Sequence, residues 1–421
     1  MKAVAIFLRR LTLGVTAIGL LLFSLGGNAI GEDGESTGPQ SGRVYVMSNL
    51  GTGNTVIVFT RAGDGSLTRI QEVSTGGFGS GGGELPPPLP PFAGPIPLDS
   101  QDAMILTSDE RFLLAVNAGS NDLSVLMVTS HGLRLVDRIP SGGSFPVSVT
   151  ENHGLVYVAN ANQSPDELPG TRPNVNGFRL SGRGQLHEIS NSKRTVGLPD
   201  ASAANVLFSP NGRQLIMSEL NGNMVDVFQV GEDGRIGNIS TMPSNNRTPF
   251  GMQFNANGIL AISETNDISR RLAIDNGASL STYRLTEDGA LQPISKAVPN
   301  GQSANCWVRF TPDGRFAFAI NGGSGTVSTY SISHDGVATL HLAVAADAGG
   351  AFSLPIDSDV SPDGKFLYVI AALDGLHGVP VLPLPLLVST IQIYRIGDDG
   401  SLARVGTVEG IPFTVEGIVV R

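Results

Sequence analysis

Two short apolar stretches, Gln214-Leu215-Ile216-Met217-Ser218 and Ile259-Leu260-Ala261-Ile262-Ser263, each run into a glutamate, Glu219 and Glu264. Two carboxylates brought to one cleft divide into acid and base when their surroundings push their pKa values apart. Such a pair activates water or takes a carbon-bound proton, and a nearby cation then holds a substrate carboxylate. Arg270 and Arg271, shortly after Glu264, offer that cation as a bidentate clamp. The same register elsewhere in the chain carries Asn49, Asn117, Asn160 and Asn321. Their amides read in two ways, as a polar ring around a ligand or as groups that satisfy their own turns. The glutamates have a parallel alternative, standing in for Asn at a turn and facing solvent.

Other chemistries find less support. The six histidines show no metal-ligand spacing, and neither HExxH nor CxxC occurs. No Gly-Xaa-Ser-Xaa-Gly elbow precedes a helix. The tract Gly76-Gly77-Phe78-Gly79-Ser80-Gly81-Gly82-Gly83 lacks a following Lys-Ser/Thr, so it reads as a flexible linker rather than a phosphate loop. No cofactor or metal is expected. The single cysteine, Cys306, stands beside Trp307 in an apolar strand and reads as buried filler.

The elements that must position these residues repeat. Ser209-Pro210-Asn211-Gly212-Arg213, Thr311-Pro312-Asp313-Gly314-Arg315 and Ser361-Pro362-Asp363-Gly364-Lys365 are copies of one turn. Glu232-Asp233-Gly234, Glu287-Asp288-Gly289, His334-Asp335-Gly336 and Asp398-Asp399-Gly400 are copies of a partner turn. Between them lie short β-rich strands, four to a unit, and repetition at this length means one supersecondary unit stacked around a ring. Second strands end at Asn49, Asn117, Asn160, Glu219, Glu264, Asn321 and Ala371. Third strands read Leu123-Ser124-Val125-Leu126, Leu280-Ser281-Thr282-Tyr283, Val327-Ser328-Thr329-Tyr330 and Ile391-Gln392-Ile393-Tyr394. The count predicts an all-β propeller of seven blades with four antiparallel strands each. The first copy, at Arg43, begins with a second strand, and the chain ends with a spare one, Thr414 to Val420. The C-terminal strand is therefore expected to close the ring as the first blade's inner strand. Insertions fall on one face of the disc, at 76–99, 161–174, 265–279 and 373–389, and binding is expected there. Two of them, 84–91 and 379–387, are proline-rich and apolar, suited either to a partner or to covering the mouth.

Residues 1–29 read as a signal peptide: Lys2, Arg9 and Arg10, an apolar run from Leu11 to Leu25, then Gly27-Asn28-Ala29. Residues 30–42 are expected to be a short flexible segment, and 43–421 a single domain. The run is shorter than the ~20 residues a membrane span needs. Export to the periplasm or the exterior follows, without a transmembrane segment in the mature protein. Lys plus Arg number 27 and Asp plus Glu 37; losing three basic residues leaves 24 − 37 = −13 for the mature chain. Such a surface repels phosphate backbones, which argues against nucleic acid as a partner.

The units Ser-Pro-Asp-Gly-Lys-Phe-Leu-Tyr-Val (361–369), Arg111-Phe112-Leu113-Leu114-Ala115-Val116-Asn117-Ala118-Gly119-Ser120-Asn121 and Glu287-Asp288-Gly289-Ala290-Leu291 resemble the seven-bladed lactonase-type propellers, which include 6-phosphogluconolactonase and 3-carboxymuconate-cyclising enzymes. The resemblance runs from about Arg43 to Arg421. Taken with it, the first reading is an exported lactonase-like enzyme for a small sugar or carboxylated lactone, with Glu219 and Glu264 as the catalytic pair and Arg270, Arg271, Asn117, Asn160 and Asn321 around the substrate. The resemblance also implies histidines where inner strands begin, whereas this chain has Ser202-Ala203-Ala204-Asn205 and Ser303-Ala304-Asn305-Cys306 at two such places. The other reading is a non-catalytic propeller that binds a protein, glycan or envelope component through the same face.

Overall fold

In the computed structural model, residues 40–81, 98, 100–162, 172–197, 201–266, 276–350, 353–372 and 389–421 are described. Arg270, Arg271, both proline-rich segments and residues 1–29 lie outside them. The strands assemble into seven separate antiparallel sheets, each with its strands in chain order. The exception is the first sheet, in which Ile418–Val420 takes the inner place ahead of Gln40–Met47, Thr55–Ala62 and Leu67–Ser74. The ring therefore has seven blades and closes through the C-terminal strand. Strand hydrogen bonding begins at Gln40, ahead of Arg43. Blade three has its outer strand broken into Leu186–Glu188 and Arg194–Thr195.

Burial explains the sequence pattern. Second strands such as Phe112–Asn117, Gln214–Glu219, Ile259–Glu264 and Phe366–Ala371 are buried at every position, because neighbouring blades cover both faces. They consequently read as continuous apolar runs. Outer strands such as Ile236–Pro243 and Leu402–Ile411 face solvent and are largely exposed. The repeated turn has a local cause. The Gly212 N–H donates to Ser209 O at 2.8 Å, Asn211 Oδ1 accepts from the Arg213 N–H at 3.0 Å, and Gly212 takes φ +70°. Glycine adopts that left-handed backbone without a Cβ penalty.

The glycine tract is no loose linker over its described part. The Gly79 N–H donates to Leu50 O, Gly81 N–H to Asn49 O and Gly119 N–H to Phe78 O. Asn49 Oδ1 accepts from the Ser80 N–H at 2.9 Å. A Cβ on Gly79 would lie 2.1 Å from the Asn49 carbonyl, and one on Gly77 2.4 Å from the Asn117 side chain. These glycines let one backbone press against another, which sequence composition does not distinguish from flexibility. The tract straps blade one to blade two.

The centre of the ring is crossed by Ser100 to Asp102. Gln101 donates through its N–H to Ala204 O and through Nε2 to Met252 O, and its Oε1 accepts from the Val308 N–H at 3.0 Å. Trp307 Nε1 donates to Ser100 O at 2.7 Å. Inner strands of blades four, five and six are thus joined through one short segment of blade two.

Candidate functional site

Where the second strand ends in Asn117, Asn160 or Asn321, that side chain is buried and works as a tie. Asn117 Nδ2 donates to Asp122 Oδ1 (2.6 Å) and Ser124 Oγ (2.7 Å), while its Oδ1 accepts from Thr75 Oγ1 (2.7 Å) and Asn54 Nδ2 (2.9 Å). Asn321 repeats this with Thr326 and Ser328 as acceptors and Asn300 as donor. Asn160 Nδ2 donates to Asn174 Oδ1 and Ser141 O. Each amide joins its own third strand to the segment arriving from the previous blade. Rather than capping their own turns, the asparagines stitch blades together.

Glu264 performs the same service as an acceptor. Ser281 Oγ (2.7 Å), Ser279 Oγ, Ser244 Oγ (3.2 Å) and the Asn246 N–H (3.2 Å) all donate to its carboxylate. Burial pushes its carboxyl above the usual range, and these four donors pull the other way. A carboxylate so fully occupied is a structural acceptor.

Glu219 differs from all of these. It is 0% exposed, not solvent-facing, and neither of its carboxylate oxygens has a donor. Its neighbour is Asp226, whose Oδ1 accepts from Thr241 Oγ1 and whose Oδ2 also lacks a donor. Asp226 lies opposite Met217 on the next strand, two residues before Glu219 and on the same side of the sheet. In the third strands of the other blades the Asp226 register carries Val56, Ser124, Asn176, Ser281, Ser328 and Gln392. Blade four alone sets one acid against another. Two acceptors within hydrogen-bonding reach require a proton between them. Burial first, then Asp226, pushes the Glu219 carboxyl up to about 8. Burial likewise raises that of Asp226. Both carboxyls are raised, which favours a proton shared between them over two charges side by side.

The cover over this pair is glycine. A Cβ on Gly197 would lie 2.4 Å from Glu219 Oε1, and one on Gly222 2.1 Å from Oε2. Gly222→Ala is therefore expected to displace Glu219 and cost about 1–3 kcal/mol, as overpacking does. Thermal unfolding checks it, and an unchanged midpoint would contradict this packing.

A second charged group lies at the ring's centre. Arg309, on the inner strand Asn305–Phe310, donates through Nη2 to Asp102 Oδ1 (2.9 Å) and through Nε to Ser358 O (2.7 Å), with Asp357 Oδ1 at 3.5 Å and Asp359 Oδ1 at 3.9 Å. Burial opposes its charge, but the three carboxylates outweigh that and hold its pKa above the ordinary value. Burial, offset by Arg309, pushes Asp357 up to about 7 and Asp359 to about 6. Asp357 Oδ2 accepts from the Ile418 N–H and Asp359 Oδ2 from the Val420 N–H, so this group grips the closing strand. Among the described residues no three His, Cys, Asp or Glu side chains are placed to hold a metal. No helix among them is long and apolar enough to cross a membrane.

The structure thus joins Glu219 to Asp226, whereas Glu264 has its own separate donors. Two signals pointed to what the sequence reading missed. Val225-Asp226-Val227-Phe228 is a third strand with an acid where its counterparts carry uncharged residues. Asp357 and Asp359 alternate with period two in an inner strand, which places charge on one face.

The family model described as Lactonase, 7-bladed beta-propeller matches residues 37–170. The chain has no match among curated proteins. Among solved structures it is similar to a periplasmic gluconolactonase of Pseudomonas aeruginosa, with TM-score 0.63, 14% identity, and 90% of this chain and 99% of that chain covered. It is similar to a proposed 6-phosphogluconolactonase of Bacteroides fragilis, with TM-score 0.63, 14% identity and 92% and 99% covered. A protein from Lactobacillus plantarum gives TM-score 0.64, 14% identity and 90% and 99% covered. At such identity the structural likeness is one of fold. By its fold the chain is a seven-bladed β-propeller, and over residues 37–170 it is similar to the lactonase family of such propellers.

Proposed function

We propose that this chain is an exported lactonase-type enzyme that opens a small lactone, with Glu219 as the acid–base group. The carrying observation is the buried Glu219–Asp226 pair, the one register position where acid faces acid. Hydrolysis needs a base to take a proton from water as its oxygen bonds to the lactone carbonyl carbon. It then needs an acid to protonate the ring oxygen as the C–O bond breaks. A pair that shares a proton supplies both in turn. Perturbed carboxyls of this kind gather at functional sites. Asp226 is the charged group acting on Glu219 among the described residues, so an uncharged sugar lactone suits the pair better than a carboxylated one. Entry of substrate requires the backbones at Gly197 and Gly222 to move aside. Export rests on Lys2, Arg9 and Arg10 followed by the apolar run to Leu25 and Gly27-Asn28-Ala29.

The test is hydrolysis of a panel of uncharged and carboxylated lactones by the wild type and by a Glu219→Gln, Asp226→Asn double variant. The expected result is turnover in the wild type and a loss of roughly 10²–10⁴-fold in the folded variant. Equal turnover in the two proteins would remove the assignment.

A further inference from the structure

We propose that Thr241, Asp226 and Glu219 form a proton path across blade four, from its solvent-facing outer strand to the buried end of its second strand. The inference rests on the reading of Glu219 as the acid–base group and adds the route by which its proton reaches water. Lactone hydrolysis at neutral pH yields a carboxylate and one proton. A fully buried Glu219 that receives this proton has no solvent of its own to pass it to.

The geometry supplies a passage. Thr241, on the outer strand Ile236–Pro243, is exposed and lies directly opposite Asp226, which is 0% exposed. The Thr241 hydroxyl donates to Asp226 Oδ1. Asp226 Oδ2 and both Glu219 oxygens have no donor, so the contact between the acids carries the proton itself. Asp226 therefore takes a proton at Oδ2 from Glu219, and a half-turn of its carboxyl about Cβ–Cγ then presents that proton to Thr241 in place of the bond it accepts there. Thr241 Oγ accepts that proton while giving its own to solvent water. No bond to carbon changes, and charge is conserved at each transfer.

The corresponding rows of two other blades end instead in closed hydrogen bonds. Ser124 Oγ donates to Thr75 O at 2.7 Å and Ser328 Oγ to Ala343 O at 2.6 Å. Asn117 and Asn321, their partners on the second strand, do not titrate. Asp226 and Thr241 are relay residues, since neither touches substrate.

Infrared spectroscopy of the whole protein at neutral pH reads the carboxylic-acid carbonyl band of the pair, assigned by its loss in Glu219→Gln. Transfer into D2O shifts that band at the rate its proton exchanges. Thr241→Val is expected to slow exchange tenfold or more, and Thr241→Ser to restore it, with the band still present in both. Equal exchange rates in wild type and Thr241→Val would overturn the path, as would a wild type without the band. A band whose exchange depends on Thr241, in a protein that opens no lactone, keeps the path and removes the lactonase reading.

Discussion

Ending the chain at Phe413 is expected to abolish cooperative folding. The lost segment supplies the inner strand of blade one, pairing Val44 with Val420, Tyr45 with Val419 and Val46 with Ile418. Reciprocal bonds between Arg43 and Arg421 (2.9 and 2.8 Å), and from the Met47 N–H to Gly417 O, extend that ladder. Val415, Ile418 and Val420 are buried, and each such side chain contributes about 1.5–3 kcal/mol when removed from water. Glu416 holds the Leu98 N–H at 2.7 Å and the Ser100 N–H at 3.0 Å, anchoring the segment that crosses the ring's centre. Asp357 and Asp359 would lose the backbone donors of Ile418 and Val420 and remain buried beside Arg309. The sum is on the order of the 5–15 kcal/mol by which a folded domain is stable at all. Circular dichroism through a thermal ramp checks it. A truncated chain that still unfolds cooperatively near the wild-type midpoint would contradict closure by this strand.

Stability is expected to fall as pH rises through the neutral range. The folded carboxyls of Asp359, Asp357 and Glu219 are raised to about 6, 7 and 8, from ordinary values of 3.8, 3.8 and 4.5. Between those limits the folded chain binds protons that the unfolded chain does not. Their contribution is therefore fully present below pH 4 and is lost as pH rises through about 6 to 8. The turn aspartates Asp64, Asp109, Asp313, Asp363 and Asp399 act oppositely, because their carboxyls are lowered and their contribution fades only in stronger acid. One pKa unit corresponds to about 1.4 kcal/mol, and relaxation of buried sites discounts the full shifts, leaving on the order of 3 kcal/mol lost between pH 5.5 and 8.5. For a chain of this size that lowers the melting temperature by several degrees. Calorimetry at the two values decides it, and a higher midpoint at pH 8.5 would refute the buried-acid assignment. Glu219→Gln is expected to flatten part of the slope.

The ring was legible because its cause is local. Each Pro-Asn-Gly or Pro-Asp-Gly turn makes its own bonds whatever surrounds it, as Ser209 to Gly212 shows. Closure was legible too, since Arg43 lacked an inner strand and Thr414 to Val420 lacked a place. Pairing across strands was harder to see. Glu219 and Glu264 share a register and a residue type, yet one meets four donors and the other an acid. The difference lies in what stands diagonally opposite, Asp226 in one blade and Ser281 in the next, and that depends on register rather than on either strand alone. The glycine tract misled for a related reason. A missing side chain means freedom in solvent but close approach beside the Asn49 carbonyl, and only the partner backbone tells them apart. Arg309 escaped notice because its three carboxylates come from blades two and seven, far away in sequence.

The measurement that bears most directly on the central claim is lactone turnover by Glu219→Gln beside Glu264→Gln. Glu219 is assigned the proton transfer and Glu264 only the stitching of blades. The expected result is a loss of at least about 10²-fold in kcat for Glu219→Gln. Glu264→Gln, while folded, should stay within about threefold of wild type and melt at a lower temperature, because one of its oxygens becomes a donor facing donors. Equal losses in the two variants, or a wild type that opens no lactone, would contradict the account.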